Sequence, residues 1–435
     1  MNESVFNTPA AKRALKLHEA RITAAENVRK KRGLDTNFEK KLATAVCLEN
    51  TRRQIRAMEA LNGSATQPSS IGQYKRFAMD MVATLVPNMI ASDLVSVQAI
   101  DNRVGMINIL EYQYGSNKGA AKDGQVFASP LAYQGMNAEY TSAANTETLT
   151  AGQNELKWNK AVRPETLHVY RAGVEVEGIT VDKEGKLTGD IQEGDIATYL
   201  YDNETVPVAA PTMKLDIRSI PVETKSRKLA AIWSFDAQYE LMKEYGSDMQ
   251  TMLATQATAE IQQELDNEIT FDLYKAANAG PEIVWSRMQP TGVSQADHYD
   301  SFYAKVVEGS NQIFAATRRA RANWMVCGLN VASVLQVMRN FDASEDTTAI
   351  GPHFIGTLGG QIRCYVNPNY DPNTFVLGYK GPNMIDAGYV YAPYMPILTT
   401  GMITLADDFA AREGWATTYG TKLINNRLYV RGRII

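Results

Sequence analysis

The sequence predicts an α+β chain, with helical and extended text in separate stretches instead of regular alternation. Three observations carry that reading. Residues 247–277 place an apolar side chain every four positions, residues 165–223 alternate apolar with polar side chains, and residues 9–61 read as charged helices with an apolar stripe. The 435 residues suffice for about two to four structural units with a sizeable core.

At the N-terminus, residues 9–32 and 37–61 read as two helices forming a hairpin or a coiled coil. The second is striped by Leu34, Phe38, Leu42 and Ala45 and opened by a capping box of Thr36 and Glu39. Residues 1–62 hold thirteen Lys and Arg against seven Asp and Glu, a net of +6, whereas the whole chain carries −4. A basic leader therefore precedes a body of net −10. NGSATQPSSIG, residues 62–72, is small and polar and reads as a linker. Residues 73–110 mix helical and extended text. Residues 115–152 are so rich in Gly, Ala, Ser, Thr and Asn that they predict a long mobile loop unless another chain holds them. Val174 with Val176, Ile179 with Val181, and Met213, Leu215 and Ile217 then alternate as strands, with EGK and EGD as turns.

The most regular element is the helix over 247–277, ridged by Met249, Leu253, Ala257, Ile261, Leu265, Ile269 and Leu273 and capped by Ser247 with Gln250. At 1.5 Å per residue it is about 45 Å long, a spine by globular standards. Its acids, Glu260, Glu264, Asp266 and Glu268, could be proposed as catalytic or metal carboxylates, but they lie off the apolar ridge without a histidine partner in the helix, which argues against that role. Residues 302–322 form a second helix, 323–338 a strand feeding a helix, and 361–368 a strand. The chain ends on a strand in which Leu428 and Val430 alternate with Tyr429 and Arg431. Between these lies YKGPNMIDAGYVYAPYMPI, residues 379–397, with three prolines and four tyrosines. Proline excludes a helix interior and a central ladder, which predicts short extended pieces joined by turns. Such a segment suits either a buried loop beneath a pocket or a wall of contacts between chains, where Tyr and Met are enriched.

Sequence signals for chemistry are almost all negative. There is no GxxxxGK[ST], GxGxxG, GxSxG or HExxH; GTLGGQ at 356–361 lacks the lysine and hydroxyl of a phosphate site, and GYKG at 378–381 reads as a turn. Cys47, Cys327 and Cys364 are scattered without a CxxC and read as reduced thiols, not a zinc site or a disulfide framework. His18, His168, His298 and His353 lie far apart and read as surface or packing residues. No window approaches eighteen apolar residues, and the N-terminus has no apolar core of a secretory signal, so no membrane is expected. No catalytic residue, cofactor or metal is expected.

Four segments in this order resemble the major capsid proteins of tailed phages, with their Hong Kong 97 fold, and are most similar to the contractile-tailed, T-even-like branch. They are LVPNMIASDLVSVQAIDNRVGMI (85–107), IPVETKSRKLAAIWSFDAQYEL (220–241), ATAEIQQELDNEI (257–269), and VLGYKGPNMIDAGYVYAPYMPI with the downstream FAAREGWATTYG. The resemblance implies a self-assembling virion protein that forms hexamers and pentamers of an icosahedral head around double-stranded DNA, assembled in the host cytoplasm with portal, scaffold and decoration proteins. It implies a leader over 1–62, a linker and N-arm over 63–107, and an E-loop with associated β region over 108–223. A peripheral domain over 224–325 and 400–435 and an axial domain over 326–399 complete it. Tyr379, Tyr389, Tyr391, Tyr394 and Met395 are then the expected inter-subunit contacts. A minor vertex paralogue or an encapsulin-like shell protein is the alternative, and a soluble enzyme with a dispersed site the third.

For the leader the resemblance implies a scaffold-like segment, with a processing cut after a glutamate. Glu59 followed by Ala60 suits such a cut, although Ala57 replaces the larger aliphatic residue expected two positions earlier. The other expectation is a retained leader, with Lys12, Arg13, Lys16, Arg29, Lys30, Lys31 and Arg32 facing packaged DNA through non-specific phosphate contacts.

Overall fold

The computed structural model describes residues 9–31, 38–61, 89–115, 122–129, 140, 143–157, 162–201, 212–246, 248–343, 351–381, 386–405 and 410–435. The chain divides into two units, residues 1–109 with 219–435 and residues 110–218; it passes into the second along one strand and returns along another. Helices α1 (Pro9–Leu17), α2 (Glu19–Lys31), α3 (Phe38–Leu61) and the single turn α4 (Ala91–Leu94) come first, followed by β1 (Ser96–Val97) and β2 (Val104–Tyr114). The second unit adds β3 (Val126–Ala128), β4 (Ala143–Thr148), β5 (His168–Arg171), β6 (Val174–Glu175), β7 (Thr180–Val181), β8 (Leu187–Thr188) and β9 (Ile196–Tyr201), and the chain leaves it on β10 (Met213–Glu223). Back in the first unit come β11 (Lys225–Ser234), α5 (Phe235–Tyr245), the spine α6 (Met249–Ala276), β12 (Ile283–Trp285), α7 (Gln295–Thr317), β13 (Trp324–Cys327) and α8 (Leu329–Val337). Then follow β14 (Phe341–Ala343), β15 (His353–Leu358), β16 (Ile362–Val366), β17 (Thr374–Gly378), β18 (Tyr389–Thr399), β19 (Ile403–Leu405), β20 (Ala410–Leu423) and β21 (Tyr429–Ile434).

Two sheets carry the first unit. One has the order β1-β18-β20-β11, with β19 also on β20; the other runs β12-β21-β17-β13-β16-β15-β14. The C-terminal strand β21 pairs with β17, and β18 pairs with β20. The sheets therefore cross the division expected at residue 399, because the strand text on either side of it zips into shared ladders. The second unit has the sheet β4-β9-β5-β6 and the hairpin β7-β8. The sheet β10-β2-β3 contains the two strands by which the chain passes between units.

The spine confirms its period with one correction. Its N-cap is Asp248, whose carboxylate accepts from the backbone N–H of Thr251; Ser247 lies outside the described residues. Ala257, Ile261, Leu265, Ile269 and Leu273 are buried, together with Asp266, which was expected off the apolar ridge. Ser234 and Ser294 cap α5 and α7 by accepting from Ala237 and Asp297, and Gly246 ends α5 in the left-handed region at φ 64°. For α3, both Leu34 and the capping pair's Thr36 lie outside the described residues.

The proline-rich stretch also differs from expectation. Residues 389–399 form one eleven-residue strand, not short pieces, with register shifts at Pro393/Met395 and at Met395/Leu398. The bulges take up the missing N–H groups. On the other side β1 pairs only with Val390 and Tyr391, after which Ile100 donates to the Pro393 carbonyl at 3.1 Å.

Among the described residues, apolar burial in the first unit gathers in three places, the smallest around Ile107, Ile109, Val222 and Val390. One joins Leu48 and Cys47 of α3 to Leu94, Ile261, Ile269, Tyr391 and Trp415. Another sets Phe302, Ile313 and Leu335 against Met325, Phe375 and Leu377. The second unit has its own core of Leu149, Leu156, Val169, Leu187 and Tyr199. The end of the small, polar 115–152 stretch is thus held within its own unit, since β4 pairs along its whole length with β9 and Leu149 is fully buried. Residues 116–121, 130–139 and 141–142 of that stretch lie outside the described residues.

Candidate functional site

The tyrosine strand is where surface contacts were expected, and the chain covers most of it itself. Tyr389, Tyr391 and Met395 are 3%, 1% and 6% exposed, while Tyr379 and Tyr394 are half-buried. The Tyr389 hydroxyl donates to Asp272 at 2.8 Å, and Tyr391 packs against Tyr419 with ring centroids 5.9 Å apart. Burial raises the pKa of both hydroxyls. Tyr391 is covered in part by α3, the last helix of the leader, whose Cys47 and Leu48 share its core. The chain's own packing thus covers Tyr389, Tyr391 and Met395.

The junction between leader and body holds several buried polar contacts. Lys40 of α3 forms an ion pair with Asp93 of α4, both nearly buried. Further along the same helix, Asn50 donates to the carbonyls of Ile100 at 2.9 Å and Tyr394 at 3.0 Å, tying α3 to the segment after β1 and to β18. Thr44 and Thr51 satisfy their hydroxyls on the carbonyls one turn back, which lets both sit buried in a helix. Behind α4, the Asp266 carboxylate accepts from the backbone N–H of Ala91 at 2.9 Å and of Ile90 at 3.4 Å. Desolvation pushes its pKa up to about 7 against those two hydrogen bonds, with Asp93 adding to the rise. A cleft of about 360 Å³ opens where α1 and α3 meet residues 97–108.

Reading the sequence missed Lys40 and Asn50, and it named Asp266 without reading its burial or its bonds to α4. The available signal was helix α3 itself: Leu42, Ala43, Ala45, Cys47, Leu48 and Ile55 are buried over most of its girth, wider than the one stripe read from its sequence. The basic candidates lie elsewhere. Lys12, Arg13 and Lys16 are exposed on α1 and Lys30 on α2, opposite the buried Ala11, Ala14 and Ile22. Arg29 and Lys31 belong to α2, and Arg32 lies outside the described residues; the side chains of all three are likewise outside. Glu59 and Ala60 sit in the last turn of α3.

Among the described residues, the apolar side chains open to solvent include a row on β10 and a pair on α5. On β10, at the edge of its sheet, Met213, Leu215 and Ile217 are 64%, 58% and 56% exposed, alternating with Lys214, Asp216 and Arg218. On α5, Tyr239 and Met242 are each 68% exposed. No group of His, Cys, Asp and Glu suited to a metal occurs among the described residues, and no described helix is long and apolar enough to cross a membrane. The three cysteines are free and buried, with burial pushing their thiols up.

The sequence matches the family described as major capsid protein Gp23 over residues 71–434. The chain belongs to the Gp23 family of major capsid proteins. This is a family of structural proteins and not of enzymes. Among its relatives, the major capsid protein of Serratia phage KSP90 is 26% identical over 381 residues, covering 82% of this chain and 79% of the relative. That of Enterobacteria phage T4 is 27% identical over 417 residues, covering 83% and 77%. Solved chains similar in structure include one from Microbacterium phage Oxtober96, with a TM-score of 0.40 at 10% identity over 80% of this chain and 91% of that one. Another comes from the capsid of Myoviridae phage XM1, with a TM-score of 0.35 at 8% identity over 74% and 97%. The Gp23 match begins at residue 71, so α1, α2 and α3 precede it, although α3 is packed into the same core as the matched residues.

Proposed function

We propose that copies of this chain assemble, with the Hong Kong 97 arrangement, into the hexamers and pentamers of an icosahedral phage head that encloses double-stranded DNA. Family membership supports the shell, and the apolar row Met213, Leu215 and Ile217 on β10 is the observation that carries self-assembly. Three aliphatic side chains in a row on an edge strand are a liability for a free monomer. A second copy of the chain is their proposed cover, and head-to-tail contacts of this kind close into rings. Residues 108–223 take the role of the E-loop and its associated β region in this reading, and residues 63–107 that of the linker and N-arm. The spine helix belongs to the peripheral domain and residues 326–399 to the axial domain. Lys12, Arg13, Lys16 and Lys30 offer an exposed basic face for packaged DNA. Portal, scaffold and decoration proteins are the further partners, and the host cytoplasm the place of assembly.

Electron microscopy of the purified chain, alone and with scaffold supplied, tests the reading. Rings, tubes or shells are expected from the native chain, and Leu215→Asp with Ile217→Asp is expected to leave soluble, folded, unassembled protein. A native chain that stays monomeric or dimeric after scaffold is added overturns it.

A further inference from the structure

We infer that the end of α7 is a phosphate-binding face of the body, formed by Arg318 and Arg321 with Arg427 beside them, which takes the backbone of a nucleic acid without reading its sequence. The choice of nucleic acid as partner rests on the shell reading above; the positive face itself does not.

The sequence already sets this place apart. Between Glu308 and Asp342 there is no acidic residue, and Arg318, Arg319, Arg321 and Arg339 all fall in that run, within a body whose net charge is −10. The structure then divides the arginines by role. Arg319 is committed to the fold, because its guanidinium pairs at 2.8 Å with the nearly buried carboxylate of Asp386. Arg318 and Arg321 are exposed and form no ion pair among the described residues. Arg427 is exposed on the 3-10 turn Asn426–Leu428, which packs against α7. Tyr379 links this turn to the end of the helix. Its backbone N–H donates to the Leu428 carbonyl at 3.2 Å, and Arg319 and Asp386 both lie within electrostatic reach of its hydroxyl.

Two details favour binding over a part played only in the fold. Arg318 ends α7 in the left-handed region at φ 54°, where glycine is the favoured residue and a β-carbon is strained. Its charge does meet the negative end of the helix dipole, but that gain is small at an exposed site. Arg321 lies over the Phe314 ring, 5.9 Å from its centroid, and the ring is itself 45% exposed. The contact holds a guanidinium in place in solvent, which lowers the ordering cost of meeting a phosphate. Guanidinium forks match phosphate oxygens two at a time, and a charge that repeats along a backbone suits several of them on one face.

The test measures fluorescence anisotropy of a random-sequence DNA duplex with the full chain over a range of salt. The native chain should bind. For the triple variant Arg318→Gly, Arg321→Gln and Arg427→Gln, the plot of log affinity against log salt should be shallower by about 2.7, or about 0.9 for each phosphate no longer neutralised. Lys305→Gln, which removes an exposed charge paired with Glu308 on the same helix, should leave the slope unchanged. Arg318→Gly alone should raise the melting temperature while making the slope shallower. A lower melting temperature with an unchanged slope would leave Arg318 only its part at the helix end and overturn the assignment. A native slope in the triple variant overturns it as well. So does equally tight binding of poly-glutamate, which would make this face a seat for an acidic protein surface. A native chain that forms shells while the triple variant keeps its slope ends this inference and leaves the shell reading intact. A chain that shows the slope change yet never assembles does the reverse.

Discussion

Asp266 sits on the spine with its carboxylate against the N–H groups of Ile90 and Ala91, near Asp93 of α4 and, through it, Lys40 of α3; Tyr391 of β18 lies within its electrostatic reach. Its pKa rises from 3.8 to about 7, so the folded chain holds a proton that the unfolded chain has already released. The sign follows: this group's contribution is complete below about pH 4 and is lost as pH rises to about 7, after which it is flat. Asp266→Asn keeps an acceptor for the Ala91 N–H, gives up the longer bond from Ile90, and removes the titration. Melting temperatures measured across pH should show the variant gaining on the native chain between about pH 4 and 7 and holding that gain above. A pH-independent difference would refute the assignment. Gly378 shows the opposite kind of constraint, a position with no room. An added Cβ would meet the Trp324 indole ring, so Gly378→Ala should cost about 1–3 kcal/mol in denaturant unfolding, although GYKG reads in sequence only as a turn.

The helices and strands were legible in proportion to how far their burial is one-sided. The spine's four-residue ridge is visible because Glu260 and Glu264 face water while Ile261 and Leu265 face the core. Leu265→Ala should therefore cost about 2–5 kcal/mol by thermal unfolding. Glu264→Ala, at the exposed end of the Arg227 ion pair, should fall within about 1 kcal/mol of the native chain. Equal effects would mean the ridge is misassigned. β18 was illegible for the converse reason: it is buried on both flanks, so no alternation marks it, and its prolines argue against a ladder until the bulges at Pro393 and Met395 are seen. The same holds for α3, wrapped by α1 on one side and by β18 on the other. The burial of Asp266 was not legible because position 266 lies next to the ridge on a helix that is buried more widely than the ridge alone.

At the scale of the whole chain, sequence order was enough to place the family, and charge was enough to separate a basic leader from an acidic body. What charge could not convey is that the leader's two faces do different work. Lys40, an unremarkable member of the basic count, is buried against Asp93, and removing one partner of such a pair costs about 3–5 kcal/mol. Lys12, Arg13 and Lys16 share the same count but stand exposed on α1. Only this second set is free to meet polyanions, and phosphate neutralisation leaves a quantitative signature in salt. Replacing all three with Gln should leave the melting temperature unchanged, because none is in the core. The plot of log affinity for duplex DNA against log salt should become shallower by about 0.9 for each phosphate that is no longer neutralised, or about 2.7 for three. Affinity should fall equally for unrelated DNA sequences, since no base is read. An unchanged slope would assign these residues to solvent and leave the acidic body's own surface as the inner wall of the shell. A steepened slope, or a weakening confined to one DNA sequence, would contradict phosphate neutralisation as the mode of binding.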